Sequence, residues 1–95
     1  MNSQNAGMPP ATKDPRLGVV VRRLRMERNL TQEALAQRSG LTTGSVNTTE
    51  LSKTGAAWVT VVALADGLDL TVTQLVALVE AEDPSWRPKE AEGDG

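Results

Sequence analysis

The sequence predicts an all-α fold, a compact bundle of five short helices carried between polar tails. Three observations lead there. Thr31, Thr42 and Thr71 each stand where a helix can start, so that the hydroxyl can accept from a backbone N–H that the first helical turn leaves free. Apolar residues recur three and four positions apart rather than alternating. Breakers fall between these stretches, at Gly40, Gly67 and Pro84. The valine runs at 19–21 and 59–62 favour strands by propensity, but the capping signals oppose that reading.

Residues 1–13 are polar and rich in Asn, Pro and Gly, and are expected to be a disordered tail. Asp14-Pro15 predicts an N-cap followed by proline in the first helical position. Helix one should run to about Arg28, burying Leu17, Val20 or Val21, and Leu24. Helices two and three are expected at about 32–39 and 43–51. A loop from Ser52 to Ala57 leads to helix four at about 58–66, whose buried face should draw on Trp58, Val61, Val62 and Ala65, with Gly67 ending it. Thr71 and Gln74 form a capping-box pattern opening helix five, which carries Leu75, Leu78 and Val79. Asp83-Pro84 should close that helix, because the residue before proline avoids helical geometry. The expected division is a tail over 1–13, one domain over 14–82 and an acidic tail over 83–95.

Composition excludes several functions. The 95 residues contain no Cys, His, Phe or Tyr. Disulfides, thiol chemistry and imidazole acid–base chemistry are therefore absent. Trp58 and Trp86 alone cannot supply the aromatic platforms of single-strand binding. With no nucleotide-binding glycine loop either, an enzyme is not expected, nor any cofactor or metal. The first ten residues lack the apolar core of a signal peptide, and the run Ala56–Ala65 is too short to span a bilayer. A soluble, cytoplasmic protein is expected.

The net charge of −2 is unevenly placed. Residues 16–79 hold seven basic against five acidic side chains, whereas residues 80–95 hold six acidic against two basic. The helical part is thus mildly basic, enough for a small dimeric DNA-binding module but below the strong footprint of a nonspecific binder.

The most informative stretch runs from Leu30 to Glu50, "LTQEALAQRSGLTTGSVNTTE". Thr31 caps a helix with Leu35 and Ala36 inward, Gly40 supplies the left-handed stop, and Leu41 packs the corner. Thr42 then caps a second helix with Val46 and Glu50 inward. Two helices joined by such a turn form a helix-turn-helix, which presents its second helix to a major groove.

Over about residues 16 to 79 the chain resembles the Cro/cI-type, or XRE-type, helix-turn-helix family of phage repressors and small bacterial transcriptional regulators. The matching positions include Leu17–Gly18, Arg22, Leu24–Arg25, Leu30–Leu41, Val46, Glu50, Leu64–Ala65, Leu68 and Leu75. The resemblance implies a lambda-repressor-like five-helix domain. It implies that Gln32 touches a DNA phosphate at the start of helix two, and that Arg25 and Glu50 form a buried ion pair tying helix one to helix three. It also implies that Lys53 contacts phosphate after helix three, where Ser52 replaces a usual glycine.

Thr42, Thr43, Gly44, Asn47 and Thr48 complete the candidate DNA-binding set, with Leu51 on the same side. Asn can grip adenine through two hydrogen bonds, and Thr can bond a base or touch a thymine methyl. No Arg or Gln stands on this face, Gly44 offers no side chain, and Thr49 replaces a large inward residue. Arg38, Arg22 and Arg23 read either as phosphate contacts or as a solvated charged face, and Arg28 reads both ways. Trp86 reads either as packing on helix five or as an anchor for a protein partner. Helix five is apolar on more than one side, so part of it should meet a second subunit in a homodimer.

The leading expectation is a sequence-specific, repressor-like regulator that reads double-stranded DNA with helix three. The alternative is a protein-interaction module of the same fold, antitoxin-like, with weak or no DNA reading. The acidic tail would then serve the partner.

Overall fold

The computed structural model describes residues 14–82, which form five helices and no strand. They are α1 (Arg16–Glu27), α2 (Gln32–Ser39), α3 (Thr43–Leu51), α4 (Trp58–Gly67) and α5 (Val72–Glu80). The two tails, the Asp83-Pro84 stop and Trp86 lie outside the described residues. Among the described residues no single helix is long and apolar enough to cross a membrane.

Three helices start on the threonines that the sequence singles out. Thr31 Oγ1 accepts from Ala34 N at 2.9 Å, and Thr42 Oγ1 from Ser45 N at 3.0 Å. Thr71 and Gln74 close a full capping box, each side chain bonded to the other's backbone N–H at 3.0 and 2.9 Å. At α1 the N-cap falls on Pro15, one residue later than expected, so the proline stands before the helix rather than in its first position. Asp14 Oδ1 accepts from Arg16 N at 3.1 Å.

Helix ends share a device that the sequence reading found only once. Gly40 takes the left-handed conformation (φ 71°), and Leu41 N then donates to Ala36 O. Asn29 and Asp69 do the same after α1 and α4 (φ 56° and 66°), with Leu30 and Leu70 donating to Arg25 O and Ala65 O. Asn and Asp tolerate this region better than other side chains, and the leucine that follows each turn packs against the core. Gly67 is therefore not the stop of α4. It is buried because the end of α2 lies against it: a Cβ there would stand 3.1 Å from Leu35 Cδ1 and from Ser39 Cβ.

The core gathers Leu17, Val20, Val21 and Leu24 of α1, Leu35 and Ala36 of α2, Val46 of α3, Leu64 and Ala65 of α4 with Leu68 just beyond it, and Leu75 of α5. Both Val20 and Val21 are fully enclosed. Packing runs α1 on α3 and α5, α2 on α3 and α4, and α4 on α5. Trp58 and Val62 depart from expectation. Trp58 is 65% exposed and Val62 is also exposed, while the inward face of α4 starts at half-buried Val61 and continues through Leu64, Ala65 and Leu68. Trp58 opens the helix one turn before that face enters the core.

Two arginines close the far end of α4. Arg28 Nε donates to Leu68 O at 3.1 Å and Arg38 Nε to Gly67 O at 2.8 Å. Cations here satisfy carbonyls that a helix terminus leaves open and oppose the negative end of its dipole.

Candidate nucleic-acid interface

The orientation of α3 begins with a missing side chain. Gly18 on α1 lies so close to α3 that a Cβ would stand 2.5 Å from Thr49 O and 2.7 Å from Glu50 O. Backbone therefore meets backbone at this crossing, which brings Arg25 within reach of Glu50. The pair is bidentate, Arg25 Nε to Glu50 Oε2 at 2.6 Å and Nη2 to Oε1 at 3.1 Å. The Glu50 side chain is 2% exposed and that of Arg25 13%. Arg25 Nη1 also donates to Leu30 O at 2.8 Å, binding the α1–α2 turn into the same joint. The hydrogen bond to Glu50 holds the Arg25 pKa above its ordinary value. One fork thus fixes α1, the turn and α3 together.

Gln32, at the first position of α2, joins this joint. Its Nε2 donates to Glu50 Oε1 at 3.0 Å and to Asn47 Oδ1 at 3.1 Å. Both amide protons are engaged inside the protein, which leaves the Gln32 carbonyl oxygen unbonded among the described residues. The outward side of α3 carries Thr43, Gly44, Asn47, Thr48 and Leu51, all exposed. Thr42 is exposed as well, its hydroxyl occupied in capping. Thr49 is 4% exposed, and its hydroxyl donates back to Ser45 O at 2.9 Å. That internal bond is how a threonine occupies an inward position without stranding a polar atom.

The loop after α3 is built on Ser52. Its hydroxyl accepts from Thr54 N and Gly55 N, each at 3.1 Å, and bonds Gly55 O at 2.9 Å. Ser52 has extended backbone (φ −69°, ψ 139°), so no glycine is needed there. The positive φ falls on Gly55 (94°) instead. Lys53 projects from this loop, exposed, with its carbonyl accepting from Asp14 N. Beside it, a recess of about 380 Å³ lies between α3 and the start of α4, with Thr42, Ser45, Thr48 and Thr60 on its walls.

Most of the basic residues are engaged internally. Arg16 pairs with Asp14 at 3.0 Å and Arg23 with Glu82 at 2.6 Å. Arg25, Arg28 and Arg38 are held as described above. Arg22 and Lys53 are the side chains left without a partner among the described residues. Arg28 and Arg38, which the sequence left open, act on the scaffold. Among the described residues no group of three or more acidic side chains is placed to hold a metal ion.

A family profile described as "Helix-turn-helix domain" matches residues 16–78. No curated protein is significantly similar to the chain. Among solved structures, the restriction-modification controller protein C.AhdI from Aeromonas hydrophila is 33% identical, covering 63% of this chain and 91% of that one, with a TM-score of 0.58. The wild-type controller protein C.Esp1396I is 20% identical over 70% of this chain and 86% of its own, with a TM-score of 0.63. The clp gene regulator ClgR from Corynebacterium glutamicum is 19% identical over 84% and 82%, also at 0.63. The last two likenesses concern the fold alone.

Proposed function

Since the chain belongs to the helix-turn-helix domain family, we propose that it is a sequence-specific, double-stranded DNA-binding transcriptional regulator of repressor type. It acts in the cytoplasm and covers a promoter by laying α3 in the major groove. One observation carries this reading. The face of α3 bearing Thr43, Gly44, Asn47 and Thr48 is exposed, while the opposite face is locked to α1 by Gly18 and the Arg25–Glu50 fork. A rigid helix with one free side is what groove reading requires. The controller protein C.AhdI supports the regulator reading by its described role.

In this mechanism Lys53 and the N-termini of α2 and α3 hold phosphates, and α3 supplies the base contacts. Gln32 meets phosphate only by releasing one of its two internal bonds. The chain works as a homodimer, which supplies two half-sites. Its contact surface draws on α4, where Trp58 and Val59 are exposed with Val62 one turn further on, as well as on Val76 of α5.

The test is fluorescence anisotropy with genomic promoter fragments at several salt concentrations, with molecular mass measured in parallel. Sequence-dependent binding by a dimer is expected, weakening as salt rises. No binding at low salt, with a co-purifying protein instead, would replace this reading with the protein-interaction module.

A further inference from the structure

The Glu50 carboxylate dictates which way the Asn47 amide points, and with it the base that Asn47 can read. A carboxylate only accepts hydrogen bonds. Glu50 Oε1 receives Arg25 Nη2 at 3.1 Å and Gln32 at 3.0 Å, so Gln32 must turn its amino group, not its carbonyl, toward Glu50. The second proton of that amino group then needs an acceptor, and Asn47 Oδ1 stands 3.1 Å away. Asn47 is exposed and its Nδ2 has no partner among the described residues. The ion pair therefore sets a polarity: oxygen turned to Gln32, amino group turned to solvent.

We infer that Asn47 is a donor-only reader and selects guanine, a step that rests on the DNA reading proposed above. Guanine offers two adjacent acceptors in the major groove, N7 and O6, which suit an outward amino group. Adenine pairs its N7 acceptor with an N6 amino donor, and gripping both needs the Asn oxygen at the base. That oxygen faces Gln32. The adenine contact expected from the residue type alone is thus replaced by guanine, and Gln32 becomes the residue that positions the reader.

Site selection from random duplexes tests this. The full chain should enrich guanine at one position in each half-site, and 7-deazaguanine there should weaken binding by about tenfold. Asn47→Asp keeps an oxygen for Gln32 but presents an acceptor outward, so guanine preference should vanish and cytosine, with its N4 amino donor, should gain. Gln32→Ala frees the amide to rotate, so adenine and guanine should be selected alike while the melting temperature falls little. Adenine enriched by the unaltered protein, or guanine retained by Asn47→Asp, would overturn the inference while leaving the regulator reading intact. Absence of any sequence preference would remove both. The relay has its own readout in the free protein, where Asn47→Ala should shift the Gln32 side-chain amide protons in an NMR spectrum. Unmoved resonances would overturn the relay without any DNA present.

Discussion

Gly18→Ala isolates the contact on which the placement of α3 depends. The added Cβ would meet Thr49 O at 2.5 Å, Glu50 O at 2.7 Å and Glu50 C at 3.0 Å. All three atoms are backbone, so no side chain can swing away, and α1 and α3 must separate by roughly 1 Å to reach ordinary contact distance. That movement stretches the 2.6 Å bond between Arg25 and Glu50 toward the limit of a hydrogen bond. Overpacking of this kind costs about 1–3 kcal/mol, and the lengthened ion pair adds to it. Alanine's better helix propensity offsets about 1 kcal/mol. A net loss of about 2 kcal/mol remains, corresponding to a fall in melting temperature of roughly 8–16 °C for a domain of this size. The control is Gly44→Ala. Gly44 sits in α3 with nothing nearer than Thr42 Oγ1 at 4.0 Å, so propensity acts alone and should stabilise by up to about 1 kcal/mol. Thermal and urea unfolding followed by circular dichroism read both variants. If Gly18→Ala proves as stabilising as Gly44→Ala, the backbone-to-backbone crossing does not exist and the account of how α3 is held is wrong.

Three further outcomes follow from the same geometry. Glu50→Ala strands the Arg25 guanidinium and removes the acceptor for Gln32, so urea unfolding should show a loss of about 3–5 kcal/mol. A loss below 1 kcal/mol would mean that the pair is solvated. The hydrogen bond from Arg16 holds the Asp14 carboxyl below its ordinary pKa of 3.8. Its contribution is therefore complete above that pH and disappears as acid protonates the folded form. The stability gap between the natural protein and Asp14→Asn should be present at pH 7 and close below about pH 4. Lys53→Ala should weaken DNA binding alike on all sequences and flatten the salt dependence by about one ion per subunit. An unchanged slope would place Lys53 off the DNA.

The helices were legible because their signals are local. Thr31, Thr42 and Thr71 cap within three residues of themselves, and α2 and α3 fall at the expected bounds. Signals that depend on neighbours across the fold were not legible. Trp58 looks like core by residue type and by spacing from Val61, yet α4 reaches its packing partners only one turn later. Gly67 looks like a helix stop, but its purpose is the close approach of α2, while Asp69 makes the turn. Nothing local marks an aspartate for the left-handed region apart from its tolerance of it. At the site, Arg25 and Glu50 could be paired from the family pattern, but the bridge from Gln32 to Asn47 could not. That bridge requires knowing how far the first turn of α2 stands from the middle of α3.

The largest gap between sequence and structure concerns charge. Seven basic residues over 16–79 suggest a cationic surface, yet Arg28 and Arg38 close the end of α4 and Arg25 forms the central joint. Arg16 and Arg23 face carboxylates. Only Arg22 and Lys53 stay free among the described residues to attract a phosphate backbone, so nonspecific attraction should be weak for a DNA-binding module. In the proposed function discrimination then falls to direct contacts from α3, whose Gly44, Thr43, Thr48 and Thr49 give it poor intrinsic helicity. A helix so composed keeps its shape through Gly18, the Arg25–Glu50 fork and the buried Thr49 rather than through its own propensity. On the proposed DNA reading, the scaffold arginines and the exposed face of α3 are therefore parts of one device, in which cations that could have bound DNA instead fix the short polar side chains offered to it.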